Sequence, residues 1–211
     1  MVALGSTLID TAKFGSNDVT AFYLGSNEAW TAGEPAELIK PTGIANTGGS
    51  ASIGTNGQVT FSGVTSLSLN GVFSADFDNY VVSVRGTSST NTNLFYRLRA
   101  SGSDADGSNY TVQELVAEST AVSAARYTSQ TRANNFLFGP SLQNGNGLYF
   151  YGPFLAQPTA SRVVSVGESG GARIIEYAVT HSLSTSYDGF TFLTTSAVTV
   201  TGALQVYGLR M

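Results

Sequence analysis

The feature of this sequence that most limits its fold is a run of short alternating segments separated by turn residues. Between residues 79 and 210, apolar and polar residues alternate in segments such as Asn79–Gly86, Leu94–Ser101 and Arg173–His181. A period of two places every second side chain on the same face of a β-strand. Asn-Gly and Asp-Gly pairs at several of the breaks are typical of tight turns. The pattern predicts roughly eight to ten strands, spaced as in sandwiches and barrels.

The fold class that this pattern favours is all-β. A chain of 211 residues is long enough for one sizeable domain with a small appendage. We predict a C-terminal two-sheet β-sandwich, jelly-roll-like in type, with a small N-terminal β-hairpin segment. The only segment with a helical alternative is Thr111–Glu118, for which a bulged strand is at least as compatible.

Three regions can be distinguished along the chain. In residues 1–40, two apolar runs, Val19–Leu24 and Glu28–Thr31, flank a Gly-containing turn, which predicts a hairpin. A lone hairpin is marginal in water, so it must pack on its neighbours, on another copy or on a different protein. Residues 41–57 are small and polar and predict a linker. Residues 58–211 are predicted to form the sandwich, or head domain.

The composition argues against most catalytic chemistry. The chain has no cysteine, one histidine and 11% charged residues. Acid–base and nucleophilic catalysis usually need histidine, cysteine or clustered carboxylates within reach of one another. Disulfides, thiolate nucleophiles and zinc–sulfur sites are excluded together. We therefore predict a non-enzymatic protein with no cofactor and no metal requirement.

Charge and hydropathy limit the partners in the same way. The net charge of −4 argues against nucleic acid, whose phosphates require Lys and Arg. The first residues lack the basic and apolar regions of a signal peptide, and no stretch is apolar enough for a membrane helix. The sequence thus predicts assembly in the cytoplasm with no membrane insertion.

Three motifs suggest chemistry, and each is weak. Gly167–Gly171 is similar to the nucleophile loop of serine proteases, but His181, which such a mechanism would need, follows it in the chain instead of preceding it. His181 is predicted to be a partly buried structural residue. The loop Asp104–Asn109 has several oxygen-bearing side chains that would suit calcium, yet it lacks the EF-hand spacing. An Asp-Gly turn explains this loop equally well, and the calcium question stays open.

Aromatic residues offer the best candidates for ligand contact. They cluster near Tyr149–Phe154 and Tyr187–Phe192. Most are expected in the core, because alternation buries every second residue of a strand. Any that stay exposed present a flat apolar face that suits sugar rings. Tyr149 and Tyr151 are the candidates for receptor contact.

Several segments also carry a resemblance to a known family. These are Tyr23–Trp30, Leu69–Phe73, Phe77–Tyr80, Leu98–Gly102, Tyr151–Thr159, Tyr187–Phe192 and Val206–Arg210. Together they resemble minor tail and fibre-like proteins of tailed bacteriophages, and the resemblance covers most of the chain. It offers no catalytic residues to carry over.

The resemblance implies a virion structural protein assembled in the host cytoplasm, either a tail fibre or a minor tail component exposed on the particle. It further implies a homotrimer whose N-terminal segment docks on other virion proteins through Phe22, Tyr23, Leu24 and Trp30. The sandwich would then face the host and contact a surface glycan or protein. A capsid head fibre or decoration protein with a purely structural role is the alternative, and a capsule depolymerase is disfavoured by the missing acid–base clusters.

Overall fold

The chain is all-β in the computed structural model. The structure describes residues 2–4, 7–9, 12–14, 17–19, 21–24, 27–31, 36–118, 120–141, 143–168, 172–195 and 197–210. These residues form strands, turns and loops, with no helix among them. The described part of the chain accordingly contains no helix that is long and apolar enough to cross a membrane.

Six short strands precede residue 32, and sixteen further strands follow in the described residues. The first six are β1 (Val2–Leu4), β2 (Thr7–Ile9), β3 (Ala12–Phe14), β4 (Asn17–Val19), β5 (Ala21–Leu24) and β6 (Asn27–Thr31). The others are β7 (Ala36–Ile39), β8 (Gly43–Thr47), β9 (Ser50–Ile53), β10 (Val59–Val64), β11 (Ser66–Asn70), β12 (Asn79–Ser88), β13 (Thr92–Ala100), β14 (Ser103–Asp104), β15 (Tyr110–Glu118), β16 (Ala121–Gln130), β17 (Ala133–Phe138), β18 (Gln143–Tyr151), β19 (Thr159–Glu168), β20 (Ala172–His181), β21 (Gly189–Leu193) and β22 (Val200–Leu209).

The N-terminal strands pair as three separate antiparallel hairpins, β1 with β2, β3 with β4 and β5 with β6. The β5–β6 pair, with Phe22 in register with Trp30, is the hairpin expected from the sequence. The other two hairpins were not expected. Corresponding strands begin at residues 2 and 12, and at 7, 17 and 27, and a Gly-Ser pair stands between the two strands of each hairpin at 5–6, 15–16 and 25–26. Period-two alternation does not mark this ten-residue repeat, because its strands are only three to five residues long.

Residues 36–209 form a compact unit that contains two antiparallel sheets. The larger sheet has the strand order β16-β15-β20-β19-β18-β12-β22-β10-β9, with β7 also paired to β22. The smaller has the order β14-β13-β21-β11-β8, with β17 also paired to β13. This arrangement confirms the predicted all-β, two-sheet sandwich.

The core lies between the two sheets and is rich in aromatic rings. Phe150 of the larger sheet packs against Tyr96 and Phe190 of the smaller, with ring centroids 5.2 and 5.5 Å apart. Tyr110 bridges the sheets by hydrogen bonding, because its hydroxyl accepts from the Leu98 amide at 2.9 Å and donates to the Ala105 carbonyl at 2.9 Å. The buried Tyr110 hydroxyl is therefore satisfied by groups outside its own sheet.

The structure differs from the predicted linker at residues 41–57. The segment contains β8 and β9, which are edge strands of the smaller and the larger sheet respectively. Gly48 and Gly49 adopt positive φ angles of 71° and 47° and turn the chain from one sheet to the other. Small polar residues are sufficient to form these strands because an edge strand buries little surface. The same residues are typical of linkers, which is why the sequence predicted one here. The sandwich thus begins at Ala36.

The segment with a helical alternative, Thr111–Glu118, lies within strand β15. Its register against β16 shifts between Tyr110 and Val112, where β16 has the extra residue, so the segment is a regular strand and the bulge lies on its neighbour. Strand β15 lies second from one edge of the larger sheet, between β16 and β20.

Candidate functional site

The outer face of the larger sheet carries both tyrosines that the sequence proposed for receptor contact. Tyr149 and Tyr151 are 37% and 44% exposed, whereas Leu148 and Phe150 of the same strand are 0% and 1% exposed. Strand alternation produces this difference, because successive side chains point to opposite faces of the sheet. Two aromatic rings therefore lie next to each other on a solvent-facing surface.

A shallow groove crosses this outer face beside Tyr151. Its volume is about 390 Å³, and it extends over strands β18, β19, β20, β15 and β16. The lining residues are Thr111, Gln113, Arg126, Tyr151, Ala160, Ser161, Arg162, Ala178, Val179 and Thr180. We call this the outer groove.

The depth of the outer groove follows from the sizes of neighbouring side chains. Ala160 is in register with Tyr151, and Ala178 is in register with both Arg162 and Gln113. Alanine at the centre and long side chains on either side leave a depression on an otherwise even sheet surface. The register of five strands, and not any single segment, creates the groove.

The charged side chains that line the outer groove are positive, although the protein as a whole is acidic. Two arginines and no carboxylate line it, although the whole chain has a net charge of −4. Arg162 donates from Nε to Oε1 of Glu176 at 2.6 Å, and this hydrogen bond raises the pKa of the guanidinium. The pair is exposed and contributes little to stability, but it fixes the direction of Arg162.

Arg126 and Gln113 are in register on neighbouring strands of the groove. Gln113 donates from Nε2 to the carbonyl of Ala125 at 2.9 Å, which orients its amide and leaves Oε1 as an acceptor. Arg126 is exposed, and no carboxylate of the described residues forms an ion pair with it. The groove thus presents a guanidinium, an oriented amide and a tyrosine ring.

The His181 side chain lies in the core and does not line the outer groove. It is 2% exposed, with Nδ1 3.2 Å from the Tyr187 hydroxyl and its ring against that of Tyr110, centroids 4.4 Å apart. Burial lowers the pKa of the imidazole and raises that of both tyrosines. These groups pack and hydrogen-bond inside the core, where His181 fills the structural role predicted for it.

The lowered pKa of His181 has a measurable consequence for stability. Unfolded histidine titrates near pH 6.5, so below that pH the unfolded chain takes up a proton that the folded chain resists. The stability linked to His181 is fully present above pH ~6.5 and is lost as the pH falls toward the lower folded-state pKa. We expect urea titrations between about pH 5 and pH 8 to show a smaller loss of unfolding free energy in His181→Gln than in the wild type. Equal losses in the two proteins would contradict this.

In the loop Asp104–Asn109, whose side chains would suit calcium, the first carboxylate is already bound by other side chains. Asp104 forms an ion pair with Arg99 and accepts a hydrogen bond from Thr191 Oγ1 at 2.6 Å. Arg99 is only 9% exposed because β14 folds back along β13. Among the described residues no group of three or more His, Asp or Glu side chains is placed to hold a metal ion.

The remaining sequence candidates are in the N-terminal hairpin. Phe22, Tyr23 and Leu24 lie in β5, and Trp30 lies in β6. Their strands are described, but their side chains lie outside the described part of the structure. The serine loop at 167–171 also falls largely outside it.

Sequence reasoning found Tyr151 but missed Arg126, Gln113 and Arg162. Each occupies an outward position of an alternating strand, so its exposure could have been predicted. Their proximity could not, because it depends on the order β18-β19-β20-β15-β16, which no local pattern encodes. Comparisons of the chain with protein-family models, curated proteins and solved structures found no match.

Proposed function

We propose that this protein is a non-enzymatic structural component of a tailed-phage virion, a tail fibre or minor tail protein that contacts the host surface through the outer face of its larger sheet. The observation that carries the proposal is the outer groove with its exposed Tyr151. The family resemblance supplies the virion context. The engagement of His181 and Asp104 in packing and ion pairing supports a binding role over a catalytic one.

The test of this proposal uses the full chain and the particle. Antibody labelling of virions in electron micrographs should place the chain on the tail, and fluorescently labelled full-length protein should bind host cells. Labelling of the capsid without cell binding would instead favour a head fibre or decoration protein. Absence of the chain from the particle would overturn the proposal.

The N-terminal hairpins support a docking and assembly role. Residues 1–35 form a separate compact unit of fewer than 40 residues, a size at which disulfides, metals or association with other chains are usually needed for stability. With no cysteine, association is the favoured route. We propose that this unit holds the protein as a homotrimer and docks it on other virion proteins. A monomer in light scattering at micromolar concentration would contradict the trimer.

Deletion of residues 1–35 should separate docking from folding. The head retains β7, which pairs with β22 through Ile39 opposite Val206, so its cooperative thermal unfolding should persist. Incorporation into particles, measured by immunoblot of purified virions, should be lost. The full-length chain is the control, and normal incorporation of the truncated chain would contradict the docking role.

A further inference from the structure

The outer groove has the shape of a site for part of a polymer and not for an isolated small molecule. It crosses five strands, which at about 4.8 Å between neighbours gives a length of about 19 Å. Most of its side chains are exposed, including Gln113, Arg126, Arg162 and Thr180. A ligand would lie along the sheet with both ends free, as an internal stretch of a chain does.

The contacts offered along the groove fit a saccharide. Tyr151 presents an aromatic face, whose negative potential attracts the polarised C–H bonds of a sugar ring. Thr111 and Thr180 are in register on adjacent strands and bring two hydroxyls together as donors and acceptors. The oriented amide of Gln113 adds a further acceptor. Sugar rings have both apolar C–H faces and hydroxyl groups, and therefore match these aromatic and polar contacts.

The charge of the outer groove indicates which class of saccharide it would bind. Arg126 has no acidic partner among the described residues, and guanidinium groups bind carboxylates through two parallel hydrogen bonds. Arg162 is already engaged by Glu176. One available guanidinium suits a polymer with widely spaced carboxylates. A nucleic acid, with a phosphate on every nucleotide, would need a row of cations.

We propose that the outer groove binds an acidic polysaccharide, with a sugar ring on Tyr151 and a carboxylate of the polymer at Arg126. This inference rests on the proposed function and adds the class of ligand to it. The carboxylate belongs to a uronic acid or to a similar acidic sugar.

Calorimetry with the full-length chain tests the proposal. The probes are hyaluronate and gellan, whose carboxylates recur on every second and every fourth sugar, each beside its carboxyl-reduced neutral counterpart, and a single-stranded oligonucleotide. We expect at least one acidic polymer to bind and its reduced counterpart to bind about tenfold more weakly or not at all, as lost charged hydrogen bonds imply. Equal binding to the reduced polymer, tighter binding to the oligonucleotide, or no binding to any acidic probe would overturn the proposal.

The sheet itself offers matched control variants. Tyr151→Ala and Arg126→Gln should each weaken binding about tenfold or more. Tyr127→Ala removes an exposed tyrosine that does not line the groove, and Arg85→Gln removes an exposed arginine on another strand; both should bind as the wild type does. If the first pair bound normally, the groove would not be the site. Host-cell binding that survives the first pair would overturn this inference and leave the proposed function intact.

Discussion

Replacing Phe150 by alanine is expected to lower the free energy of unfolding by about 3–5 kcal/mol, the usual cost of deleting a buried aromatic ring. Phe150 is 1% exposed and its ring contacts those of Phe73, Tyr96 and Phe190. Alanine would leave a cavity between the sheets that these rigid rings cannot fill. Urea denaturation followed by tyrosine fluorescence measures the change.

The adjacent residue of the same strand provides the control for this experiment. Tyr149 lies on the outer face at 37% exposure, and Tyr149→Ala should cost no more than about 1 kcal/mol. The contrast tests which face of β18 is buried, on which the outer groove depends. Similar losses for the two variants would mean that the register of this strand is different.

The second large effect is expected for Asp104→Ala, at about 3–5 kcal/mol of unfolding free energy. The change leaves the Arg99 side chain, 11% exposed, without its carboxylate partner. The remaining partners are neutral, among them Asn70 Oδ1 at 3.0 Å and Thr191 Oγ1 at 2.9 Å. Neutral acceptors do not balance a buried charge, so the folded state loses stability. Thermal and urea unfolding measure the loss.

Two further variants test whether the loss of stability comes from the broken Arg99–Asp104 ion pair. Asp106→Ala removes an exposed acid from the same loop and should change stability by less than about 0.5 kcal/mol. The double variant Arg99→Met with Asp104→Leu removes both charges and should be more stable than Asp104→Ala alone, because replacing a buried pair by apolar residues is often neutral. If calcium instead held this loop, Asp106→Ala would also destabilise the protein and added calcium would raise its Tm.

The sequence was most informative where structure is local. Period-two alternation identified strands around Tyr80, Tyr96 and Tyr177 and their buried faces, since a strand's two faces are set by its own residues. It also found the β5–β6 hairpin, whose partners are close along the chain. It was least informative at the edges: residues 41–57 form strands because β10 and β11 offer them partners, and not because of their own propensity.

The candidate site also has some features that local sequence predicts and others that it does not. The sequence by itself determined that the chain is β-rich, that it has no cysteine and one histidine, and that Tyr149 and Tyr151 could stay exposed. Only the tertiary structure decided that Tyr151 shares a groove with Gln113 and Arg126, and that Arg99 is buried against Asp104. The physical reason is that side-chain alternation is a property of one strand. The order and register of strands depend instead on hydrogen bonds between segments far apart in the sequence.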